Sequence, residues 1–172
     1  RKILIRAYGA ELVLTPAAEG MKGSVAKAEE LGRNIEGSIL VRQFENPAGP
    51  KIHRETTAEE IWRDTDGKVD VFIAGSGTGG TITGTSLRLK ELKPSLKSYV
   101  VQPAASPLLT GGEAAGHPLA GIGPNFIPEI LDTSSYDEVI SAPNSVAFEF
   151  ARRASAEEGI LAGISSGAAL WA

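Results

Sequence analysis

The run Gly75-Ser76-Gly77-Thr78-Gly79-Gly80-Thr81 constrains this chain more than any other feature. It directly follows Val69-Asp70-Val71-Phe72-Ile73-Ala74 and directly precedes a segment that can be helical. A strand that empties into glycines and then into a helix N-terminus gathers several unpaired N–H groups about one point. Together with the positive end of the helix dipole, those donors make a phosphate site. The glycines let the backbone approach the anion, and Ser76, Thr78 and Thr81 offer hydroxyls. The expectation is a phosphorylated ligand seated between a strand and a helix.

Several readings of this run compete. Gly75, Gly77 and Gly80 satisfy the dinucleotide pattern G-x-G-x-x-G after a strand. That pattern also wants an acidic residue about 20 positions on, at the end of the next strand, to hold a ribose. The residue found there is Gln102, a neutral amide. A nucleoside-triphosphate loop needs Gly-Lys-Ser/Thr at the helix entry, and Gly80-Thr81-Ile82 has no lysine. A compact cup around one phosphate monoester, such as that of pyridoxal 5′-phosphate, suits the dense Gly-Thr-Gly-Gly-Thr donors. A tight turn with no ligand is the bland alternative.

Along the rest of the chain, helical and extended segments alternate. Helices are expected at residues 1–8, 21–31 (ending at Gly32), 81–92 and 145–158, the last capped by Asn144. A further helix is expected from a capping box at Thr57-Ala58-Glu59-Glu60 to about Asp64. Strands are expected at 11–14, 38–44, 69–74, 96–102, 137–141 and 160–163, and Ser165 opens a last helix. Residues 46–50 read as a loop. Residues 103–128 form a long connection rich in Gly and Pro, of the kind that is functional or mobile. Strands separated by helices imply an α/β fold with a parallel sheet and flanking helices.

Composition narrows the function. The net charge of −4, with no basic cluster, argues against nucleic acid. With no cysteine there is no disulfide, thiolate catalyst or cysteine metal site, and two histidines make a histidine metal site unexpected. No apolar run approaches the roughly 18 residues of a membrane span, and no signal peptide is visible, so a cytoplasmic location is the default expectation. The chain opens without Met inside a helical segment and closes on Gly167-Ala168-Ala169-Leu170-Trp171-Ala172, the first turns of a helix. It reads as an internal piece of a longer protein.

Further segments carry a resemblance. Tyr8-Gly9-Ala10-Glu11-Leu12-Val13-Leu14-Thr15, Gly20-Met21-Lys22-Gly23, Gln43-Phe44-Glu45-Asn46-Pro47-Ala48, Lys51-Ile52-His53 and Gly77-Thr78-Gly79-Gly80-Thr81-Ile82-Thr83-Gly84 come first. Gly121-Ile122-Gly123 with Phe126-Ile127-Pro128, then Gly163-Ile164-Ser165-Ser166-Gly167-Ala168, complete the series. In this order they resemble the cysteine synthase (O-acetylserine sulfhydrylase) family of pyridoxal-phosphate enzymes, fold type II, across essentially the whole chain. The resemblance implies the tryptophan synthase β-like architecture, here incomplete. Residues 1–36 would belong to a smaller N-terminal domain and 37–172 to a larger cofactor domain.

It also implies roles. Gly77, Thr78, Gly79, Gly80 and Thr81 would hold the cofactor phosphate, and Ser165 would hydrogen-bond the pyridine nitrogen. A hydroxyl there retains the ring proton less than a carboxylate does, which favours expulsion of a β-leaving group over transamination. Gln43 would lie near the substrate carboxylate or the sulfide approach, and loop 121–128, beginning at Gly121, would border the entrance. The implied reaction joins O-acetyl-L-serine and sulfide into L-cysteine, with cystathionine β-synthase and O-phosphoserine sulfhydrylase as alternatives. A homodimer is implied, as is docking of a serine acetyltransferase C-terminal tail; a non-catalytic binding partner of that enzyme is the reading from another class. The family's Schiff-base lysine and its Thr-Ser-Gly-Asn loop match nothing here, so no catalytic residue is assigned in this chain. Lys2, Lys22, Lys27, Lys51, Lys68, Lys90, Lys93 and Lys97 read as surface positions. Arg42 and Gln102 depart from the family pattern. His53 reads as a structural hydrogen-bonding residue, His117 as solvated, Trp62 as packing and Phe126 as packing or a gate.

Overall fold

A computed structural model describes residues 1–172, which divide into two compact units, Arg1–Leu40 and Val41–Ala172. The first unit is helical. Helix α1 (Lys2–Ala7) ends before Gly9, whose φ of +84° stops it. Helix α2 (Gly20–Asn34) runs through Gly32 rather than stopping there, because Leu40 folds back onto that glycine. A Cβ on Gly32 would lie 2.9 Å from Leu40 Cδ1. Residues 11–14 form no strand.

The second unit begins with an almost continuous helical rod: α3 (Ala48–Ile52), a π-turn (His53–Thr57) and α4 (Ala58–Asp64). Two expectations are corrected here. Residues 46–50 are a loop only at Asn46 and Pro47, since Ala48–Pro50 already belong to α3: Asn46 Oδ1 accepts from Ala48 N–H at 2.9 Å, and Pro47, with φ −65°, precedes the helix, where its missing donor costs nothing. Thr57 is not an N-cap; it is already helical, with φ −57° and no capping bond.

Three strands follow: β1 (Val71–Gly75), β2 (Lys97–Pro103) and β3 (Glu138–Ala142), with α5 (Gly80–Leu92) between the first two. They form a parallel sheet of order β1-β2-β3, with Gly75 opposite Val101 and Gln102 opposite Ser141. Helices α6 (Asn144–Glu158) and α7 (Ile164–Trp171) complete the unit. Asn144 is the first residue of α6 rather than its cap, and its Oδ1 is buried without a partner. Residues 38–44 and 160–163 are irregular, not strands. Their branched residues suit a sheet, but no strand of the chain offers them a ladder of hydrogen bonds.

Strand β2 is central and buried on both faces. Val100 turns toward Ile82 of α5 and Leu131, while Val101 turns toward Leu119, Ile122, Ala147 of α6 and Ala168 of α7. Fully burying a Val, Leu or Ile side chain contributes about 1.5–3 kcal/mol, so these two clusters fix the helices on opposite faces of the sheet. The packing brings the C-terminal end of β1, the N-terminus of α5 and the N-terminus of α7 to one edge, where open parallel sheets bind ligands. No helix is long and apolar enough to cross a membrane.

Candidate cofactor site

The glycine turn is built by close approach. Gly79 has φ +89°, and a Cβ there would lie 2.6 Å from Leu131 Cβ. A Cβ on Gly77 would lie 2.5 Å from the carbonyl oxygen of Gly121, and one on Gly80 3.2 Å from the Gly49 carbonyl carbon. Only glycine fits at residues 77 and 79, and residue 80 is tightly packed. Ser76 N–H bonds Val101 O at 3.0 Å, and Thr83 N–H bonds Gly79 O at 3.0 Å. Gly80 N–H reaches Thr78 Oγ1 at 3.3 Å. The N–H groups of Gly77, Thr78, Gly79 and Thr81 donate to no acceptor in the protein. Four free donors in a pocket too tight for side chains, at the start of a 13-residue helix, fit a phosphate monoester.

Ser165 is the second residue of α7, with Gly163 at the cap position. Its hydroxyl makes no hydrogen bond within the protein and lies 3.4 Å from where a Cβ on Gly121 would stand. Gly121, with φ +106°, therefore presents its carbonyl to Gly77 and its Cα to Ser165. The fold gathers Gly77, Gly121 and Ser165 into one locality. Gln43 is exposed and joins this locality only through its neighbour: Phe44 is buried and meets Phe126 edge-on, ring centroids 4.9 Å apart at 74°. Phe126 thus packs.

His53 is tied to the turn. Its Nε2 lies 3.1 Å from Thr81 Oγ1 and its Nδ1 2.9 Å from Thr57 Oγ1. The π-turn carries both His53 and Thr57, and Thr81 meets the ring from α5. Its structural reading holds, with the addition that it contacts Thr81 of the glycine turn.

One residue was misjudged from sequence, and the role of another was missed. His117 is not solvated: Leu119 N–H donates to its Nδ1 at 3.2 Å and its Nε2 meets Gly123 O at 2.8 Å. Gln102 is not merely a departure. It is buried, its Nε2 donates to Thr110 Oγ1 at 3.0 Å and Ser141 Oγ at 3.1 Å, and its Oε1 accepts from Leu109 N–H at 2.8 Å. It pins the long 103–128 connection to β2 and β3. No signal in the sequence pairs those partners.

The strongest electrostatic perturbation lies at the opposite end of the sheet. Lys90, the Ser98 N–H and Lys97 hold the Asp137 carboxyl well below its ordinary value, in that order of effect apart from an opposing cost of burial. Lys90 Nζ is 2.8 Å away and Ser98 N 2.8 Å. This staples β3 to β2 and leaves the glycine edge free for a ligand. No group of three or more His, Cys, Asp or Glu could hold a metal.

Comparison with known proteins agrees with the geometry. The family model described as pyridoxal-phosphate dependent enzyme matches residues 1–172. Cysteine synthase from Staphylococcus aureus is 50% identical over 173 residues, covering 100% of this chain and 56% of that protein. Among solved structures, a hydrogen sulfide-producing enzyme of Fusobacterium nucleatum is 46% identical with TM-score 0.96, over 99% of this chain and 58% of that one. An O-ureido-L-serine synthase is 43% identical with TM-score 0.94, over 99% of this chain and 54% of that one. The chain belongs to the pyridoxal-phosphate dependent enzyme family and has the fold type II architecture of the cysteine synthase group. It spans a little over half the length of these relatives.

Proposed function

We propose that the protein containing this chain makes L-cysteine from O-acetyl-L-serine and sulfide. The observation that carries the reading is the convergence of the 77–81 turn, Gly121 and the free Ser165 hydroxyl, in a chain half identical to a cysteine synthase.

When bound, pyridoxal 5′-phosphate supplies the electron sink for replacing a β-substituent of an amino acid. The chain's own residues bind and orient. The N–H groups of Gly77, Thr78, Gly79 and Thr81, with the hydroxyls of Thr78 and Thr81, would hold the phosphate. Ser165 Oγ would hydrogen-bond the ring nitrogen, and a neutral hydroxyl there would leave that nitrogen without a counter-charge. Gln43 borders the substrate carboxylate or the path of sulfide, and Gly121 lines the substrate side. The reactive lysine and the loop that holds the substrate carboxylate come from sequence outside this chain. Residues 1–36 belong to the smaller domain and 37–172 to the larger. The protein acts as a cytoplasmic homodimer, and its cleft accepts a serine acetyltransferase tail.

A second reading keeps O-acetyl-L-serine and changes the nucleophile, since a 37% identical structural relative is described as an O-acetylserine dependent cystathionine β-synthase. Incubating the full-length holoenzyme with O-acetyl-L-serine and either sulfide or homocysteine separates the two. Cysteine formation from sulfide supports the proposal. Turnover with homocysteine alone favours the alternative, and no turnover with tight binding of the transferase tail favours a non-catalytic partner.

A further inference from the structure

Segment 117–123 is linked by hydrogen bonds to the phosphate turn. Leu119 N–H donates to His117 Nδ1 at 3.2 Å, so that nitrogen is the acceptor and the ring proton sits on Nε2. Nε2 then donates to Gly123 O at 2.8 Å. Gly123 N–H donates to Ser76 O at 2.8 Å, and Ser76 N–H donates to Val101 O in β2 at 3.0 Å. The chain of bonds runs from an imidazole to the first residue of the glycine turn.

This loop has little conformational preference of its own. Gly121 has φ +106° and Gly123 φ +64°, and glycines that free lose the most entropy when ordered. Leu119 and Ile122 anchor its apolar side in the core at 0% and 8% exposure. On its polar side, His117 holds Gly123 O and Ser76 holds Gly123 N–H. Since Gly121 abuts both Gly77 and Ser165, any drift of the loop moves two walls of the site together.

We propose that His117 is a positioning residue for the phosphate seat, its Nε2–H locking the Gly123 backbone and hence Gly121 against Ser76 and Gly77. The proposal rests on the reading of the 77–81 turn as that seat. It distinguishes the two ring nitrogens: the Nε2 bond reaches the turn, whereas the Nδ1 bond only closes a local turn at Leu119.

The test is a pair of variants in the full-length protein, titrated with pyridoxal 5′-phosphate as apo-enzyme. The His117→Gln side chain can still place an N–H donor near the Nε2 position, whereas the shorter His117→Asn amide reaches only the Nδ1 position and falls short of Gly123 O. His117→Asn is expected to weaken cofactor binding about five- to tenfold, the scale of one positioned hydrogen bond, while His117→Gln stays within about twofold. A merely structural histidine would lower the melting temperature of both and change the affinity of both alike, which overturns the proposal. A Gly77→Ala control runs alongside. If it binds cofactor normally, the seat reading falls and the proposal with it. If it loses the cofactor while the His117 pair behave alike, only the His117 proposal falls. Should His117→Asn not fold, amide exchange in the wild-type protein decides: cofactor should slow exchange at Leu119 and Gly123 more than in α4. Equal or absent slowing overturns the proposal.

Discussion

The carbonyl oxygen of Gly121 stands 2.5 Å from the point where a Cβ on residue 77 would sit. Two loops 44 positions apart (121 − 77) are thus in backbone contact, and the contact exists only because residue 77 carries no side chain. The proposed phosphate turn and the proposed substrate border are one structure.

Replacing Gly77 tests this contact. Gly77→Ala forces Gly121 aside, and overpacking of this kind costs about 1–3 kcal/mol. Cofactor affinity in the full-length protein is expected to fall at least about tenfold, with a smaller loss of thermal stability. Unchanged affinity on a pyridoxal 5′-phosphate titration would show that the contact does not shape the seat.

Gly79 carries a double constraint. Its φ of +89° disfavours any side chain, and Leu131 occupies the space. Gly79→Ala adds a left-handed penalty of about 1–2 kcal/mol to a steric one of similar size. Urea unfolding should show a larger loss of stability than Gly77→Ala, and a smaller loss would contradict the packing.

His53 bridges Thr57 and Thr81. His53→Phe keeps an aromatic ring and removes a partner from both half-buried hydroxyls, at about 0.5–1.5 kcal/mol. Weaker cofactor binding is expected, with Thr81→Val nearly non-additive with it in a double-mutant cycle. Full additivity would mean that the two residues act independently.

Asp137 gives the fold an acid dependence. Its carboxyl titrates below its ordinary value of 3.8 because Lys90, the Ser98 N–H and Lys97 favour the charged form. The sign follows: the folded value is below the unfolded one, so its stabilisation is complete above 3.8 and drains as pH falls below it. The side chain is 29% exposed, so screening keeps the effect on the order of 1–2 kcal/mol. The stability gap between wild type and Asp137→Asn should shrink between about pH 5 and pH 2. A gap that stays constant would contradict the staple.

How much of this was legible depends on how far apart the partners lie. The 77–81 turn was legible because strand, glycines and helix start are contiguous. The three strands were legible because β2 is buried on both faces and therefore rich in branched apolar residues, Val100 and Val101 among them. Residues 11–14 and 38–44 carry the same composition, but a strand also needs a neighbour, which composition does not supply. Ala48-Gly49-Pro50 was misread because proline breaks helices inside but is tolerated just before them and in their first turn. The Thr57 capping pattern sits inside a helix that had already begun. Neither His117 nor Gln102 could be placed: one is defined by backbone atoms of a folded loop, the other by Ser141, 39 residues away.

The most direct measurement is a crystal structure of the full-length protein with pyridoxal 5′-phosphate. The expected result is a phosphate held by the N–H groups of Gly77, Thr78, Gly79 and Thr81, with the ring nitrogen at hydrogen-bond distance, about 2.7–3.2 Å, from Ser165 Oγ. A phosphate bound elsewhere, or a ring nitrogen well beyond the reach of Ser165, would contradict the proposed site.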